Sequence, residues 1–259
     1  MPFVTVARQQ VYYAYHPSGD NSAQPRPPLV LLHGAGGSHL HWPPQLRRLT
    51  NTDVYAPDLP GHGRSTGESC TTIADYVAWL RAFSDALHLP AFVLAGHSMG
   101  GAIALDFALT DSAQLWGLGL VGASARLRVA PTILNGIQRD FAATTTQLIE
   151  WMYAPTATAQ RKRLALQQLR TVNPAVLAGD FSACDAFDVN ARIAEIALPT
   201  LLVCGQQDKM TPAKYSERLH EQIRNSELHL LENAGHMVML EQPQAVTQLF
   251  AQFLHTFSY

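Results

Sequence analysis

Short, almost continuously apolar runs recur along the chain, and most of them end close to a glycine or a proline. A run without polar alternation is typical of a strand that is buried on both faces, as in a parallel sheet covered by helices. Such runs occupy residues 29–32, 54–56, 91–95, 118–121, 200–204 and 228–231. Ahead of them, residues 3–6 and 11–15 are expected to pair as an antiparallel hairpin.

Amphipathic stretches of helix length separate several of these runs. Between the second and the third run, apolar side chains recur at helical spacing on one face. These residues are Ile73, Tyr76, Val77, Leu80, Phe83 and Leu87. The alternation of strands and helices predicts an α/β fold built on a mostly parallel sheet.

One interval interrupts this alternation. From about residue 124 to 190 the sequence contains helical pieces and no strand-like run, and the alternation resumes near residue 198. We interpret residues 124–190 as a mostly helical insertion, called the cap from here on. Residues 1–123 and 191–259 then form one core domain, although a chain of this length could also form two small domains.

Composition and charge exclude several classes of protein. Of 259 residues, 47% are apolar and 15% are charged, which is ordinary for a globular chain. The formal net charge of −2 gives no electrostatic reason to expect a nucleic-acid partner. The sequence has no run of about 20 apolar residues, which is the length needed to cross a membrane.

Targeting signals, disulfides and metal ligands are not apparent. The N-terminus lacks the pattern of a signal peptide, and the three cysteines are too scattered for a disulfide framework. A cytoplasmic protein with free thiols is therefore expected. His39 and His41 have no cysteine or carboxylate close by to complete a ligand set, so we expect no metal site. The oligomeric state stays open.

The first candidate for chemistry is a serine between glycines. Gly96-His97-Ser98-Met99-Gly100 follows the third apolar run and precedes a helical stretch. The pattern G-x-S-x-G is weak alone, but a serine on a tight strand-to-helix turn needs small neighbours because the turn is strained. The context therefore indicates that Ser98 is a nucleophile presented at the edge of the sheet.

A serine hydroxyl is a poor nucleophile at neutral pH and needs a general base, which an acid orients. Asp208 and His236 follow the last two apolar runs, so they lie at the edge where sites of open α/β sheets assemble. We predict Ser98 as nucleophile, His236 as general base and Asp208 as the acid. Other carboxylates in the later half of the chain remain alternatives for the acid: Asp185, Asp188 and Glu232.

An oxyanion hole requires two backbone donors that point at the developing negative charge. The amide of Met99, directly after the serine, is the first predicted donor. The second should come from the loop after the first central strand, residues 33–37, whose glycines allow close approach of the backbone. We predict Ala35 as this donor, with Gly36 as the alternative, and His33 as a hydrogen-bonding support of the loop.

These segments together resemble the α/β-hydrolase superfamily, and most closely its bacterial carboxylesterase-like branch. The resemblance is carried, in family order, by His33-Gly34-Ala35-Gly36-Gly37, Asp58-Leu59-Pro60-Gly61-His62-Gly63-Arg64-Ser65, the serine motif, Gly205-Gln206-Gln207-Asp208 and Asn233-Ala234-Gly235-His236. It implies an eight-stranded, mostly parallel sheet with a helical cap after the sixth strand. It also implies a structural role for Asp58.

The resemblance implies a serine hydrolase that cleaves carboxylic esters through an acyl-enzyme, without a metal or an organic cofactor. Epoxide hydrolases and dehalogenases of this fold carry an aspartate where Ser98 stands, so their chemistry is not expected. The same triad also serves lactonases, thioesterases, C–C bond hydrolases and cofactor-free perhydrolases. A non-catalytic ligand receptor on a hydrolase scaffold is the alternative from another class.

The cap is expected to select the substrate, because a cap inserted at this edge of the sheet closes over the site. Its large apolar residues are too numerous for a solvated face, and part of them should line a pocket above Ser98. They are Leu134, Ile137, Phe141, Leu148, Trp151 and Met152. Nothing near these residues suggests a clustered cationic grip, although Arg126 and Arg128 at the start of the cap could supply one, so we expect small to medium uncharged esters as substrates.

Overall fold

An eight-stranded sheet forms the centre of the computed structural model, which describes residues 2–19 and 26–257. The strand order is β1-β2-β4-β3-β5-β6-β7-β8. Strand β2 pairs antiparallel with both β1 and β4, and the other neighbours pair parallel. The strands are β1 (Phe3–Val6), β2 (Gln9–His16), β3 (Leu29–Leu32), β4 (Val54–Pro57), β5 (Phe92–His97), β6 (Leu115–Val121), β7 (Thr200–Gly205) and β8 (Ser226–Leu231).

Helices cover both faces of the sheet. In the core domain they are α1 (Pro44–Arg47), α2 (Ile73–Ala86), α3 (Met99–Asp111), α8 (Ala213–Gln222), α9 (Val238–Glu241) and α10 (Pro243–His255). The cap contains α4 (Pro131–Arg139), α5 (Phe141–Met152), α6 (Ala159–Leu169) and α7 (Pro174–Ala186). Both the predicted hairpin and the predicted α/β fold class are confirmed. None of the helices in the described ranges is long and apolar enough to cross a membrane.

Alternate residues of the central strands point to opposite faces, and both faces are buried. Val30 and Leu32 belong to one apolar cluster, together with side chains of α2, α3 and α8. Leu29 and Leu31 belong to a second cluster, together with side chains of α1, α10 and the cap. Because neither face meets water, these strands need no polar alternation, which explains the continuous apolar runs in the sequence.

The cap helices α5, α6 and α7 begin at side chains that accept hydrogen bonds from their first turns. Asp140 accepts from the Ala143 amide at 2.9 Å, and Thr158 accepts from the Arg161 amide at 3.2 Å. Such N-caps typically contribute about 1 kcal/mol each. At the base of the cap, Arg126 and Asp188 form an antiparallel bridge, so the two ends of the insertion lie side by side. The exact boundaries of the two domains stay a prediction.

Candidate active site

Ser98 lies on the sharp turn between β5 and α3. Its φ of 53° and ψ of −113° put a non-glycine residue in a sparsely populated backbone region, which typically costs about 1–3 kcal/mol. Hydrogen bonds hold the turn on both sides: the Ser98 amide donates to the Val121 carbonyl at 3.0 Å, and the Ser98 carbonyl accepts from the Ala102 amide at 3.1 Å. The surrounding structure thus imposes the strained conformation.

The glycines of the serine motif allow close packing around this turn. A Cβ at position 96 would lie 2.0 Å from the Gly100 carbonyl oxygen, and a Cβ at position 100 would lie 2.4 Å from that of Leu32. Real side chains do not tolerate such distances. The serine motif therefore needs glycine at both positions, because the turn packs directly on β3 and on itself.

Asp208 and His236 lie on the loops after β7 and β8 and contact each other. Asp208 Oδ2 is 2.8 Å from His236 Nδ1, and both side chains are buried. A carboxylate only accepts hydrogen bonds, so Nδ1 carries a proton, and in the neutral imidazole Nε2 is then the acceptor. The other carboxylate oxygen accepts from the amides of Met210 and Thr211 at 2.8 Å each, which fixes its orientation.

The other candidate acids lie elsewhere. Asp185 accepts a hydrogen bond from the Val129 amide, and Asp188 pairs with Arg126 at 3.2 Å. Glu232 is exposed. Within the described residues, Asp208 is the carboxylate in contact with His236.

Thr211 and Gly122 close the space beneath this pair. The Thr211 hydroxyl oxygen lies 2.8 Å from both Asp208 Oδ2 and the Gly122 carbonyl oxygen, and 3.1 Å from His236 Nδ1. Gly122 has a φ of +52°, and a Cβ there would lie 3.3 Å from both Asp208 Oδ2 and His236 Nδ1. Gly122 directly follows the β6 residue that holds the Ser98 amide, so the turn and the Asp–His pair share this strand end.

His97 joins the serine turn to the histidine loop. Its Nε2 lies 3.0 Å from the His236 carbonyl oxygen, and the two imidazole rings are 4.6 Å apart. Burial and the neighbouring His236 lower the pKa of His97 well below its ordinary value. The ring is therefore neutral and donates through Nε2, which holds the residue before Ser98 against His236.

The loop after β3 holds the predicted second oxyanion donor. His33 Nδ1 donates to the Gly34 carbonyl at 2.8 Å, while His33 Nε2 accepts from the Leu59 amide at 3.0 Å. Burial lowers the pKa of His33 well below its ordinary value, as this neutral tautomer requires. The ring thus supports the loop. In the described part of the chain, the Ala35 amide has no protein acceptor, so it is free to bind a ligand.

The Met99 amide is free for a different reason. Met99 is the first residue of α3, where the helix provides no acceptor. The amide of Gly36 is not free, because it donates to Asp180 of the cap at 2.8 Å. The geometry is thus compatible with Ala35 and Met99 as donors and disfavours the alternative, Gly36.

The buried carboxylates around the site were not recognised as partners from the sequence. Asp58 accepts from the amide and from Nδ1 of His39, at 2.7 and 2.8 Å, and from the Arg64 amide at 2.9 Å. Burial alone would raise the pKa of Asp58, but the bonds from His39 lower it overall. Asp180 does carry one sequence signal, since it is a charged residue between the apolar positions Leu177 and Phe181 of α7.

Comparison with known proteins identifies the family. The sequence profile of the alpha/beta hydrolase family matches residues 29–249. The chain belongs to this family. The hydrolase is 25% identical to 3-oxoadipate enol-lactonase 1 of Acinetobacter baylyi, over 90% of this chain and 91% of that protein. It is 29% identical to a pimeloyl-[acyl-carrier protein] methyl ester esterase of Neisseria meningitidis, over 87% and 92%.

A solved structure agrees with this assignment. The structure of a thermophilic esterase superposes on the hydrolase with a TM-score of 0.86 and 30% identity, covering 98% of this chain and 97% of that one. Hydrolase chemistry is therefore shared by the family and by its characterised neighbours. In the hydrolase itself, the described residues contain no group of three or more histidine, cysteine or acidic side chains suited to hold a metal ion.

A cleft of about 470 Å³ separates the cap of the hydrolase from its core. Gly36 and Gly37 of the oxyanion loop line it from the core side, as does Met237, the residue after His236. The predicted triad side chains are not among its lining, so the cleft borders the site only by these two loops. Arg64 also lines the cleft, and its guanidinium lies 4.1 Å from the centre of the Tyr12 ring.

The six apolar cap residues are distributed unequally around this cleft. Met152 lines it, together with Ile149 and Tyr153 from the same end of α5. The remaining five lie within or against the second apolar cluster: Leu134, Ile137, Phe141, Leu148 and Trp151. The cleft supports a substrate contact for Met152 and does not place the other five at its wall.

The end of α5 is also tied to the loop of His236. Glu241 accepts from the Gly235 amide at 2.8 Å through Oε1 and from the Ala154 amide at 2.9 Å through Oε2. Burial raises the pKa of Glu241 despite these bonds. The Met237 amide donates to the Met152 carbonyl at 3.0 Å. This part of the cap is therefore connected to the histidine loop of the hydrolase directly, by the bond from Met237 to Met152, and through Glu241, which holds both Ala154 and Gly235.

Proposed function

We propose that the protein is a serine hydrolase that cleaves small to medium uncharged carboxylic esters through an acyl-enzyme intermediate. The observation that carries this proposal is the strained Ser98 turn, which His97 joins to the loop of a buried His236 whose Nδ1 is bonded to Asp208. In the neutral ring this bond selects the tautomer with Nε2 as acceptor, as a general base requires. Ser98, His236 and Asp208 are the proposed triad.

The reaction has two steps, acylation of Ser98 and hydrolysis of the acyl-enzyme. Ser98 Oγ attacks the acyl carbon while His236 Nε2 takes its proton, and the imidazolium then protonates the leaving alcohol. In the second step His236 takes a proton from water, the resulting hydroxide attacks the acyl-enzyme, and the proton returns to Ser98. Asp208 stabilises the imidazolium in both steps and keeps its own negative charge.

Two backbone amides stabilise the tetrahedral intermediates. Among the described residues the Ala35 and Met99 amides have no protein acceptor, and they lie in the loop after β3 and at the first residue of α3, so they are the proposed oxyanion donors. A preorganised donor of this kind typically contributes a factor of about 10²–10³ to kcat. The chemistry needs no metal or organic cofactor.

The cleft supports an uncharged substrate of limited size. Met152, Ile149 and Tyr153 give it an apolar wall. His41 also lines it, and burial together with neighbouring histidines lowers the pKa of His41 to about 4, so its ring is neutral at pH 7. An acyl chain held against this wall gains about 0.8 kcal/mol for each buried CH₂. Relatives that are esterases support the same bond type.

A lactone is the second candidate substrate. It is an intramolecular ester, so the same triad and oxyanion donors open it without further groups. The relative of Acinetobacter baylyi, an enol-lactonase that aligns over nine-tenths of the chain, favours this possibility. A substrate screen separates the two candidates.

The test is a turnover screen across p-nitrophenyl esters, lactones, acyl-CoA thioesters and diketones, with Ser98→Ala as the blank. We expect esters of short to medium acyl chains to be turned over fastest, with nearly all activity lost in Ser98→Ala. A fluorophosphonate probe should label Ser98 alone. Turnover or labelling that survives Ser98→Ala would refute the proposed nucleophile, and activity confined to another substrate class would refute the ester assignment.

A further inference from the structure

Asp180 of the cap is fully buried and accepts three hydrogen bonds from the core domain. Oδ2 accepts from the Gly36 amide at 2.8 Å and from His62 Nε2 at 2.7 Å. Oδ1 accepts from the Tyr76 hydroxyl at 2.6 Å. Burying a carboxylate is costly unless charge and hydrogen bonds compensate it, and these donors come from two core loops and α2. One carboxylate thus connects α7 to three parts of the core.

His62 supplies the positive charge that this carboxylate needs. Its Nδ1 lies 2.9 Å from the Pro60 carbonyl oxygen, which only accepts, and its Nε2 faces the carboxylate. Both ring nitrogens therefore donate, so the ring is an imidazolium. Burial lowers the pKa of His62, but the charge and hydrogen bond of Asp180 raise it above the ordinary value overall. The result is a buried ion pair across the boundary between cap and core.

The Gly36 amide belongs to the loop that carries the proposed oxyanion donor. The Ala35 N–H shares a planar peptide unit with the Gly34 carbonyl, which accepts from His33 Nδ1 at 2.8 Å and from the Gly37 amide at 3.0 Å. The next peptide unit contains the Gly36 N–H, which Asp180 holds. Both peptide planes that flank Ala35 are therefore anchored, one by the core and the other by the cap.

We propose that Asp180 is a positioning residue for the oxyanion hole, which fixes the direction of the Ala35 N–H through the Gly36 amide. Seating of the cap and assembly of the oxyanion hole are then one event. This inference rests on the proposed function, in which Ala35 stabilises the oxyanion. Asp180 does not line the cleft, so its loss should weaken transition-state stabilisation and leave substrate binding in place.

The test compares two substitutions of the same kind on α7. Asparagine at position 180 keeps the size of the side chain but removes the negative charge and one acceptor oxygen, so charged His62 loses its counter-charge and the Gly36 amide keeps only a weaker, neutral acceptor. The matched control is Asp185→Asn, because Asp185 bonds Val129 within the cap and does not contact the loop. A misdirected oxyanion donor should lower kcat of Asp180→Asn by about 10- to 100-fold, with KM changed by less than about threefold.

A second readout isolates the oxyanion itself. A trifluoromethyl ketone adds to Ser98 and forms an adduct with a negative oxygen, whereas the matching methyl ketone binds without such an adduct. Asp180→Asn should lose affinity for the trifluoromethyl ketone by about the same factor as kcat, and keep its affinity for the methyl ketone. Asp185→Asn should match the wild type in both. A purely structural role would lower the thermal midpoint without this selectivity.

Each outcome is decisive. Equal kcat and equal trifluoromethyl ketone affinity in the two variants would overturn the proposal, as would a rise in KM that accounts for the whole loss of kcat/KM. If Asp180→Asn does not fold, Asp180→Glu replaces it, because it keeps the charge beside His62 and displaces the acceptor of Gly36. Failure of the proposed function is seen separately, as turnover that persists in Ser98→Ala.

Discussion

Asp208→Asn replaces one carboxylate oxygen by an NH₂ group, and the structure predicts a large loss of kcat from this exchange. The Met210 and Thr211 amides both point at Oδ1. The asparagine oxygen must stay there, because turning its NH₂ group towards two N–H donors would leave them unsatisfied at about 1–3 kcal/mol each. The NH₂ group then faces His236 Nδ1.

This orientation reverses the tautomer of the histidine. A donor at position 208 requires Nδ1 of His236 to accept, so the proton moves to Nε2, which can no longer take the proton of Ser98. The equivalent exchange in serine proteases lowers kcat by about 10⁴, which corresponds to about 5.4 kcal/mol of transition-state stabilisation. We expect a loss of this size in kcat for p-nitrophenyl butyrate hydrolysis, with a small change in KM.

Two controls accompany the assay. Glu232→Gln removes the charge of an exposed carboxylate and should leave kcat unchanged. The thermal midpoint of Asp208→Asn shows that the fold is retained, since the hydrogen bonds to Oδ1 are kept. If Asp208→Asn is folded and retains kcat within about tenfold of the wild type, the proposed tautomer control is refuted.

Two further predictions concern the cap. Met152→Ala should move the preferred acyl chain of p-nitrophenyl esters towards longer chains, because it enlarges the cleft. Trp151→Ala should leave the kcat/KM profile from acetyl to octanoyl unchanged. Superimposable profiles of Met152→Ala and the wild type would contradict this prediction. Because the pKa of His62 is raised above 6.5, its pair with Asp180 contributes full stability below pH 6.5 and loses it as pH rises through the raised value. The thermal midpoint of the wild type should therefore fall as pH rises above 6.5, and that of His62→Gln should fall less. Equal slopes of thermal midpoint against pH in the two proteins would contradict this. The other titratable groups near His62 are Asp58, His33 and His41.

The sheet could be predicted from the sequence because burial on both faces leaves a local signature. Residues 29–32 alternate between the two apolar clusters, so every position must be apolar, and the run is visible without knowing its neighbours. The hairpin of β1 and β2 was also predictable, because its strands are consecutive. Strand order needs long-range information that no local run carries, and the family resemblance supplied only the number of strands and their mostly parallel direction.

The candidate site was predictable where its chemistry depends on local geometry. Ser98 needs glycines within a few residues of it, and this requirement is written in one short segment. Asp180 forms its bonds with residues more than 100 positions earlier in the chain, so no local pattern predicts its partners. The cap residues show the same limit. Periodicity identified an apolar face that includes Leu148, but not whether that face meets the core or the substrate.

The bonds of Glu241 have a consequence for the exchange of caps between related enzymes. Its two carboxylate oxygens hold Gly235 and Ala154 at the same time, so the backbone of a transplanted cap becomes part of the support of His236, the proposed general base. A chimera joined at the ends of the insertion would keep its reactivity only if the donor presents an amide where Ala154 lies. New specificity is therefore easier to introduce by replacing α6 alone, because the contacts of α5 with the histidine loop are then inherited unchanged.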